Sequence, residues 1–441
     1  MQFTQDDIGN SFRFAHRNHN HARYCPDFKS WMIFNGKFWE LDRSRQVWTL
    51  GELILTDLRR IASNSGSETL TRHATNSAQS NRFLAMIEHA RNKPGMSVMA
   101  RDLDKCPELL NVSNGTLDLA TGKVKPHNPN HLITKYIDIH YEEDLEPVVW
   151  LKFLREVMMG DEDLVEFLQR GIGYSLSGLV SDPALFILYG DGENGKSTFI
   201  NTLMGLLGED YSRQIATETL MHRSVEHIPS DLARLRGARW VTAQETNEGI
   251  SLDEAKIKQL TGNDFIVARE MRKNEFQFRP EFKLWLACNH RPVIKGTDRG
   301  IWRRLKLVPF RLSIKDHLKD HRLEGKLQGE YQEILSWAVA GFAKWEERRL
   351  AMPEAAEAAV SEFQVEMDTL GRFLAEGYVE DPQGAVNAGD LFDDFALWSD
   401  SCKEPPVSQT SFGRAMTRKG FVREKDSNSR RTVYRGLKVA K

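Results

Sequence analysis

The chain has 441 residues, 40% hydrophobic and 28% charged, with 60 Lys and Arg against 62 Asp and Glu for a formal charge of −2. That length allows about three domains at roughly 100–200 residues each. The composition excludes a uniformly basic nucleic-acid coat and an acidic disordered chain.

Four cysteines (Cys25, Cys106, Cys288 and Cys402) lie far apart without a CxxC pair, so no disulfide framework or cysteine zinc site is encoded. The start, MQFTQDDIGN, is acidic and polar where a signal peptide needs positive charge and then an apolar run, so no export is expected. No run approaches the roughly 18 apolar residues of a membrane span, so a cytoplasmic protein without membrane contact is expected.

In chain order, the aromatic alternation of 28–53 includes WMIF, then Asn35-Gly36, then KFWEL, which predicts a hairpin with a tight turn. His16, His19 and His21 with Cys25 read as a polar loop, since no second cysteine accompanies them. Spacing from 51 to about 91 is helical, with 63–80 polar enough for a loop or frayed linker. Residues 111–125 are turn-rich with short strands, and 148–159 and 164–175 carry apolar residues at helical spacing. Three short apolar runs, 184–189, 239–243 and 282–288, are bounded by turn signals and read as buried parallel strands. Helical segments between them predict an α/β unit, and 327–349 reads as a helix.

The near-zero charge hides segregation. Residues 351–400 hold twelve acids and one base, a net of −11, whereas 411–441 hold ten bases and two acids, a net of +8.

Gly190, Asp191, Gly192, Glu193, Asn194, Gly195, Lys196 and Ser197, followed by Thr198, fit G-x-x-x-x-G-K-[ST] between a predicted strand and a predicted helix. Glycines let consecutive N–H groups face phosphate oxygens, and the helix N-terminus adds partial positive charge. Lys196 is the candidate for the β- and γ-phosphates and Ser197 for Mg²⁺, so ATP and Mg²⁺ are the expected cofactors. Glu245, ending the strand that carries WVTAQ, is the candidate acid to polarise water or reach Mg²⁺, directly or through water. Gln244 before it is no carboxylate. Asn289 ends the third strand, and Arg303 and Arg304 are adjacent cations suited to a leaving phosphate.

Taken together, GDGENGKST, WVTAQE, KQLTGND, FKLWLACN and DRGIWRRLKLVPF resemble the superfamily 3 helicase motor of the phage and plasmid primase-helicase family, whose relatives include the poxvirus primase-helicase. The resemblance implies an α/β fold with four parts. These are an N-terminal α/β region (1–145), a helical collar (146–180), a P-loop AAA+-like motor with a parallel sheet (181–350) and a winged-helix domain (360–441). It implies a hexameric ring that hydrolyses ATP between neighbours and moves on single-stranded DNA, usually 3′ to 5′. Lys196 and Ser197 then match the Walker A pair, Glu245 the Walker B acid and Asn289 the sensor. Arg304 matches the arginine finger, with Arg303 its rival. Gln244 departs from the family's first acid, and the family's fused primase is expected to be absent or separate. A bacterial host with a phage, prophage or plasmid origin is the implied setting.

Between the predicted strands around 265–271 and 276–278, Arg272 and Lys273 form a charged hairpin tip, with Arg269 on the strand. In the resembling helicases such a hairpin grips DNA, and a motor needs phosphate contacts without sequence preference. The basic end reads as a helix and two strands of a winged helix-turn-helix, with Arg414, Arg418, Lys419, Arg430 and Arg431 as DNA candidates. Docking of that module on a partner or on the acidic segment is the other reading. Expected partners are single-stranded and forked DNA, further copies of the chain, and a separate primase or DNA polymerase. A P-loop kinase or small-substrate ATPase, and an ATP-switched origin-binding or primase-docking protein, are the competing functions.

Overall fold

A computed structural model describes residues 3–222, 230–244, 251–269, 275–294, 298–314, 319–402, 406–426 and 431–440. The N-terminal part opens with α1 (Asp7–Asn18), capped by the Asp6 carboxylate, and a three-stranded antiparallel sheet of β1 (Ala22–Cys25), β2 (Ser30–Phe34) and β3 (Trp39–Leu41). Phe34 pairs with Trp39, and the Asn35 side chain accepts from the Lys37 and Phe38 N–H groups to close the turn. Helices α2 (Gln46–Ser65), α3 (Glu68–Ser77) and α4 (Ser80–Ala90) bury Phe14, Trp31, Ile54, Leu58, Phe83 and Ile87 together.

The stretch expected to be a loop or linker is therefore largely helix. Ser67 accepts from the Leu70 N–H to start α3. Buried polar groups anchor it, for His73 Nε2 lies 3.1 Å from Asn10 Oδ1 and Asn10 Nδ2 donates 2.9 Å to Ser77 Oγ. A helix with so few apolar residues shows weak periodicity, so the cap and these side-chain bonds carry the information.

A meander of β4 (Leu109–Val112), β5 (Gly115–Asp118) and β6 (Lys123–Lys125) follows, then α5 (Val148–Val157) and α6 (Glu162–Leu176). The central unit comprises β7 (Leu185–Tyr189), α7 (Lys196–Tyr211), β8 (Ser212–Gln214), α8 (Ser230–Ala233), β9 (Trp240–Gln244), α9 (Glu254–Thr261) and the hairpin β10 (Ile266–Arg269) with β11 (Glu275–Phe278). It continues through β12 (Lys283–Cys288), α10 (Arg299–Trp302), β13 (Leu305–Pro309), α11 (Leu323–Gly329) and α12 (Tyr331–Arg348).

Its sheet has five parallel strands in the order β13-β7-β12-β9-β8. Nearly every residue of β7, β9 and β12 is buried, as expected of a sheet covered on both faces. Phe186, Trp285 and Trp240 stack across three neighbouring strands with centroids 3.9 and 4.4 Å apart. At β7 the order reverses: its onward connection runs toward β8, whereas the one leaving β12 passes it to β13. In open α/β sheets such a switch point is where ligands bind, outside the carboxyl ends of the strands.

The last part comprises α13 (Glu354–Met367), α14 (Thr369–Gly377), β14 (Tyr378–Asn387), α15 (Ala388–Ser401), α16 (Gln409–Arg418), β15 (Arg423–Lys425) and β16 (Thr432–Val439). Helix α13 lies on the central unit, where Phe363 meets Trp302 edge-on at 5.6 Å. The remaining helices close a core of Phe373, Leu391, Phe395, Phe412, Met416 and Tyr434 over the antiparallel sheet β14-β16-β15. The acidic segment is thus built into the fold, supplying α13, α14, β14 and most of α15. Among the described residues no helix is long and apolar enough to cross a membrane.

Candidate nucleotide site

The loop from Gly190 to Gly195 leaves the carboxyl end of β7 and opens directly into α7. Three of its residues have positive φ: Gly192 (98°), Glu193 (49°) and Gly195 (86°). Two glycines are also demanded by contact. A Cβ at Gly190 would lie 2.2 Å from the Phe310 carbonyl oxygen, and one at Gly195 would lie 2.9 Å from both Phe153 and Val157 of α5. The loop is therefore pressed between the end of β13 and α5. Gly195 offers no side-chain oxygen to the first turn of α7, whose N–H groups are left for another acceptor.

Lys196 is only 6% exposed, yet all three donors of its ammonium are used. Nζ donates 2.7 Å to the Gly190 carbonyl, 2.9 Å to Asn194 Oδ1 and 3.2 Å to Asn289 Oδ1. Burial lowers its pKa. Asn194, also buried, turns its Nδ2 to the Phe310 carbonyl at 3.1 Å, so one side chain ties the lysine to β13. Ser197 is exposed and its hydroxyl has no hydrogen-bond partner among the described residues; Asp191 is exposed beside it. Glu193 pairs with Lys319 at 2.7 Å and accepts from the Ile314 N–H at 2.9 Å, which brings the chain after β13 across the loop. Thr198 is half-buried in the first turn.

Sequence reasoning brought Lys196 and Asn289 to one place, and they are in contact. Gln244, half-buried at the end of β9, sits one strand further, opposite Ala287 of β12. Glu245 lies outside the described residues. Arg291 went unnoticed in the sequence. It stacks over Tyr189 at the end of β7 and over Phe363 of α13, 5.3 Å from each centroid, and its Nη2 lies 2.7 Å from Glu366. Its only sequence signal is a cation two residues beyond a strand end that bears a polar site residue.

The two arginines part company. Arg304 Nε donates 3.1 Å to Thr261 Oγ1 and its Nη1 2.6 Å to the Gly300 carbonyl, tying it to α9 and α10 of its own chain. Arg303 is exposed, with no side-chain partner among the described residues. Both precede β13, whose Leu305 pairs with Leu185 and whose Pro309 pairs with Tyr189. They therefore lie at the amino end of the sheet, whereas the 190–195 loop lies at the carboxyl end, roughly 13 Å away along the strands.

Parts of the chain are similar to known proteins. Residues 12–159 match a family described as D5 N terminal like, and residues 188–304 match a family of unknown function, DUF5906. A candidate helicase of Acanthamoeba polyphaga mimivirus, L207/L206, is 32% identical over 221 residues, 49% of this chain and 23% of its own length. A candidate helicase of Frog virus 3, 022R, is 26% identical over 338 residues, 71% of this chain and 33% of its own. A candidate primase of African swine fever virus, C962R, is 29% identical over 214 residues, 46% of this chain and 22% of its own. These matches support a primase-helicase relationship.

The matches span a third or less of these relatives. The relatives come from viruses of eukaryotes, whereas the motifs had suggested a phage or plasmid setting. The fold is shared with an apo structure of the NrS-1 C-terminal region, with a TM-score of 0.54 at 10% identity over 99% of both chains.

The primase-helicase motifs also directed attention to DNA-facing cations. Arg269 is exposed on β10 opposite Glu275. Arg272, Lys273 and Arg430 lie outside the described residues, as does the side chain of Arg418. Arg414 is exposed on α16 and Arg431 just before β16. Lys419 is held in an ion pair with Asp368 at the start of α14, so part of its charge is spent inside the C-terminal unit.

Proposed function

We propose that the chain is the ATP-hydrolysing motor of a replicative DNA helicase of superfamily 3 type. The observation that carries this reading is Lys196, buried at the switch point of the sheet and reached by Gly190, Asn194 and Asn289, at the head of a helix whose first turn lacks a cap. ATP phosphates would take over acceptor positions around Lys196, with loop N–H groups facing the same oxygens. The free Ser197 hydroxyl suits Mg²⁺, which would shield phosphate charge, and Glu245, directly after β9, would orient water.

Arg303 is the residue we assign to a neighbouring subunit's site. It is exposed, unlike the anchored Arg304, and it stands at the end of the sheet away from its own loop. A ring, by this reading a hexamer, is the assembly that satisfies every such site at once. The hairpin β10–β11 would grip one strand for movement, 3′ to 5′ by family resemblance. The C-terminal unit, ordered α14-β14-α15-α16-β15-β16, suits a winged helix with Arg414 on its last helix, α16, facing DNA or a primase or polymerase partner.

The test is ATP turnover with and without oligothymidylate, alongside unwinding of a forked duplex. Turnover stimulated by the single strand and lost in Lys196→Ala is expected. Turnover indifferent to DNA across a salt titration would favour a small-substrate P-loop enzyme instead.

A further inference from the structure

A groove of about 1060 Å³ runs between the N-terminal sheet and the central unit, far from the loop at 190–195. One wall carries Arg43, Arg101 and Lys135; the other is the base of the β10–β11 hairpin, with Phe265 and Arg279. Its charges balance in number but not in availability. Asp42 accepts from the Gln46 and Val47 N–H groups, Asp104 from the Thr134 N–H and hydroxyl, and Asp210 from the Tyr136 N–H. Burial raises the pKa of Glu281 and lowers that of Lys135, which lies in the field of Asp104, Asp210 and Glu281. The side chains of Arg43 and Arg101, by contrast, are exposed and have no hydrogen bond or ion pair to any described residue. Asp42, Asp104 and Asp210 are thus held in place by the fold, whereas the Arg43 and Arg101 guanidinium groups are left for a ligand.

Apolar rings lie open beside those cations. Phe265 is 51% exposed with the Arg279 guanidinium 4.7 Å from its centroid, and Phe28 is 40% exposed. Phe38 stacks on Tyr136 at 5.3 Å. Cations for phosphates and rings for bases are the two components of a single-strand binding surface. A duplex keeps its base faces stacked inside, so the rings would serve only unpaired bases. An acidic peptide could use the cations but gains nothing particular from exposed rings.

We propose that this groove binds single-stranded nucleic acid, receiving the strand from the β10–β11 hairpin and holding it against the N-terminal region. The ligand class rests on the helicase reading above, whereas the location rests on the groove.

The test measures binding of fluorescein-labelled oligothymidylate to the full chain without nucleotide, by anisotropy across a salt titration. Arg43→Ala/Arg101→Ala removes two exposed, unpartnered side chains, so an unchanged melting temperature is expected. Its affinity should fall about five- to tenfold, and its salt slope should shrink by about 1.4, at about 0.7 per phosphate contact on a single strand. Phe265→Ala should weaken binding with the slope kept, since it removes stacking and not charge. Wild-type affinity and slope in the double variant would overturn the groove and leave the helicase reading standing. Polyglutamate displacing oligothymidylate at equal charge, with Phe265→Ala silent, would assign the groove to an acidic protein partner and also overturn the proposal. A wild-type chain that ignores oligothymidylate altogether would sink both readings.

Discussion

Lys196 Nζ lies 3.2 Å from Asn289 Oδ1, joining the first residue of α7 to the residue just after β12. The two are far apart in sequence and meet because β7 and β12 are parallel neighbours in register, Cys288 against Tyr189. Whatever occupies the loop is thereby felt at the end of the adjacent strand.

Lys196→Ala should abolish ATP turnover and weaken nucleotide binding. Asn289→Ala should leave binding within a few-fold and lower kcat on the order of 100-fold, the usual cost of one polar group placed at a reacting phosphate or carbonyl. Steady-state hydrolysis with a fluorescent-nucleotide titration separates the two effects. Equal loss of binding in both variants would make Asn289 a mere support for the lysine.

Gly190→Ala should destabilise the fold by about 1–3 kcal/mol, because its new methyl meets backbone at the end of β13 that cannot swing away. Gly192→Ala faces open space but keeps a φ of 98°, so only the backbone cost of about 1 kcal/mol applies. Urea denaturation of both variants should therefore rank Gly190→Ala as the weaker.

Arg291 and Glu366 form a 2.7 Å pair at 22% and 42% side-chain exposure, connecting the site's rim to α13. Partial exposure limits its worth, and a double-mutant cycle with Arg291→Ala and Glu366→Ala should give a coupling of about 0.5–1 kcal/mol. Arg291→Ala alone should cost more than Glu366→Ala alone, since it also uncovers Tyr189 and Phe363.

Tyr211, fully buried at the end of α7, has its pKa pushed from 10.0 up to about 12 by burial. The folded chain then holds a proton that the unfolded chain releases from pH 10 upward, so stability falls as pH rises through that window. The loss is on the order of 2 kcal/mol by pH 12. Tyr211→Phe should remove this share of the alkaline loss, seen as a flatter denaturation midpoint from pH 9 to 11.

The sheet was readable where strands are buried on both faces. The runs around β7, β9 and β12 stand out as unbroken apolar stretches, and the loop after β7 follows a spacing that chemistry restricts. Strand β8, only Ser-Arg-Gln, exists because β9 offers an edge to pair with, and nothing in three polar residues says so. Strand β14 was hidden in the acidic segment by Asp381-Pro382 and an irregular register between Glu380 and Ala385. The different settings of Arg303 and Arg304 were equally hidden, since neighbours in sequence share every local signal. Thr261, brought alongside by α9, is what occupies one and leaves the other exposed.

The claim that each nucleotide site is shared between copies can be tested by mixing two dead variants. Lys196→Ala lacks a working loop but keeps Arg303, and Arg303→Ala keeps the loop but lacks the trans cation. Assembled together in one ring, an Arg303→Ala loop facing an Arg303 from a Lys196→Ala subunit is complete. ATP hydrolysis by the mixture well above the sum of the separate variants is the predicted result. No gain in mixtures shown by cross-linking to contain both variants in the same assembly would contradict it.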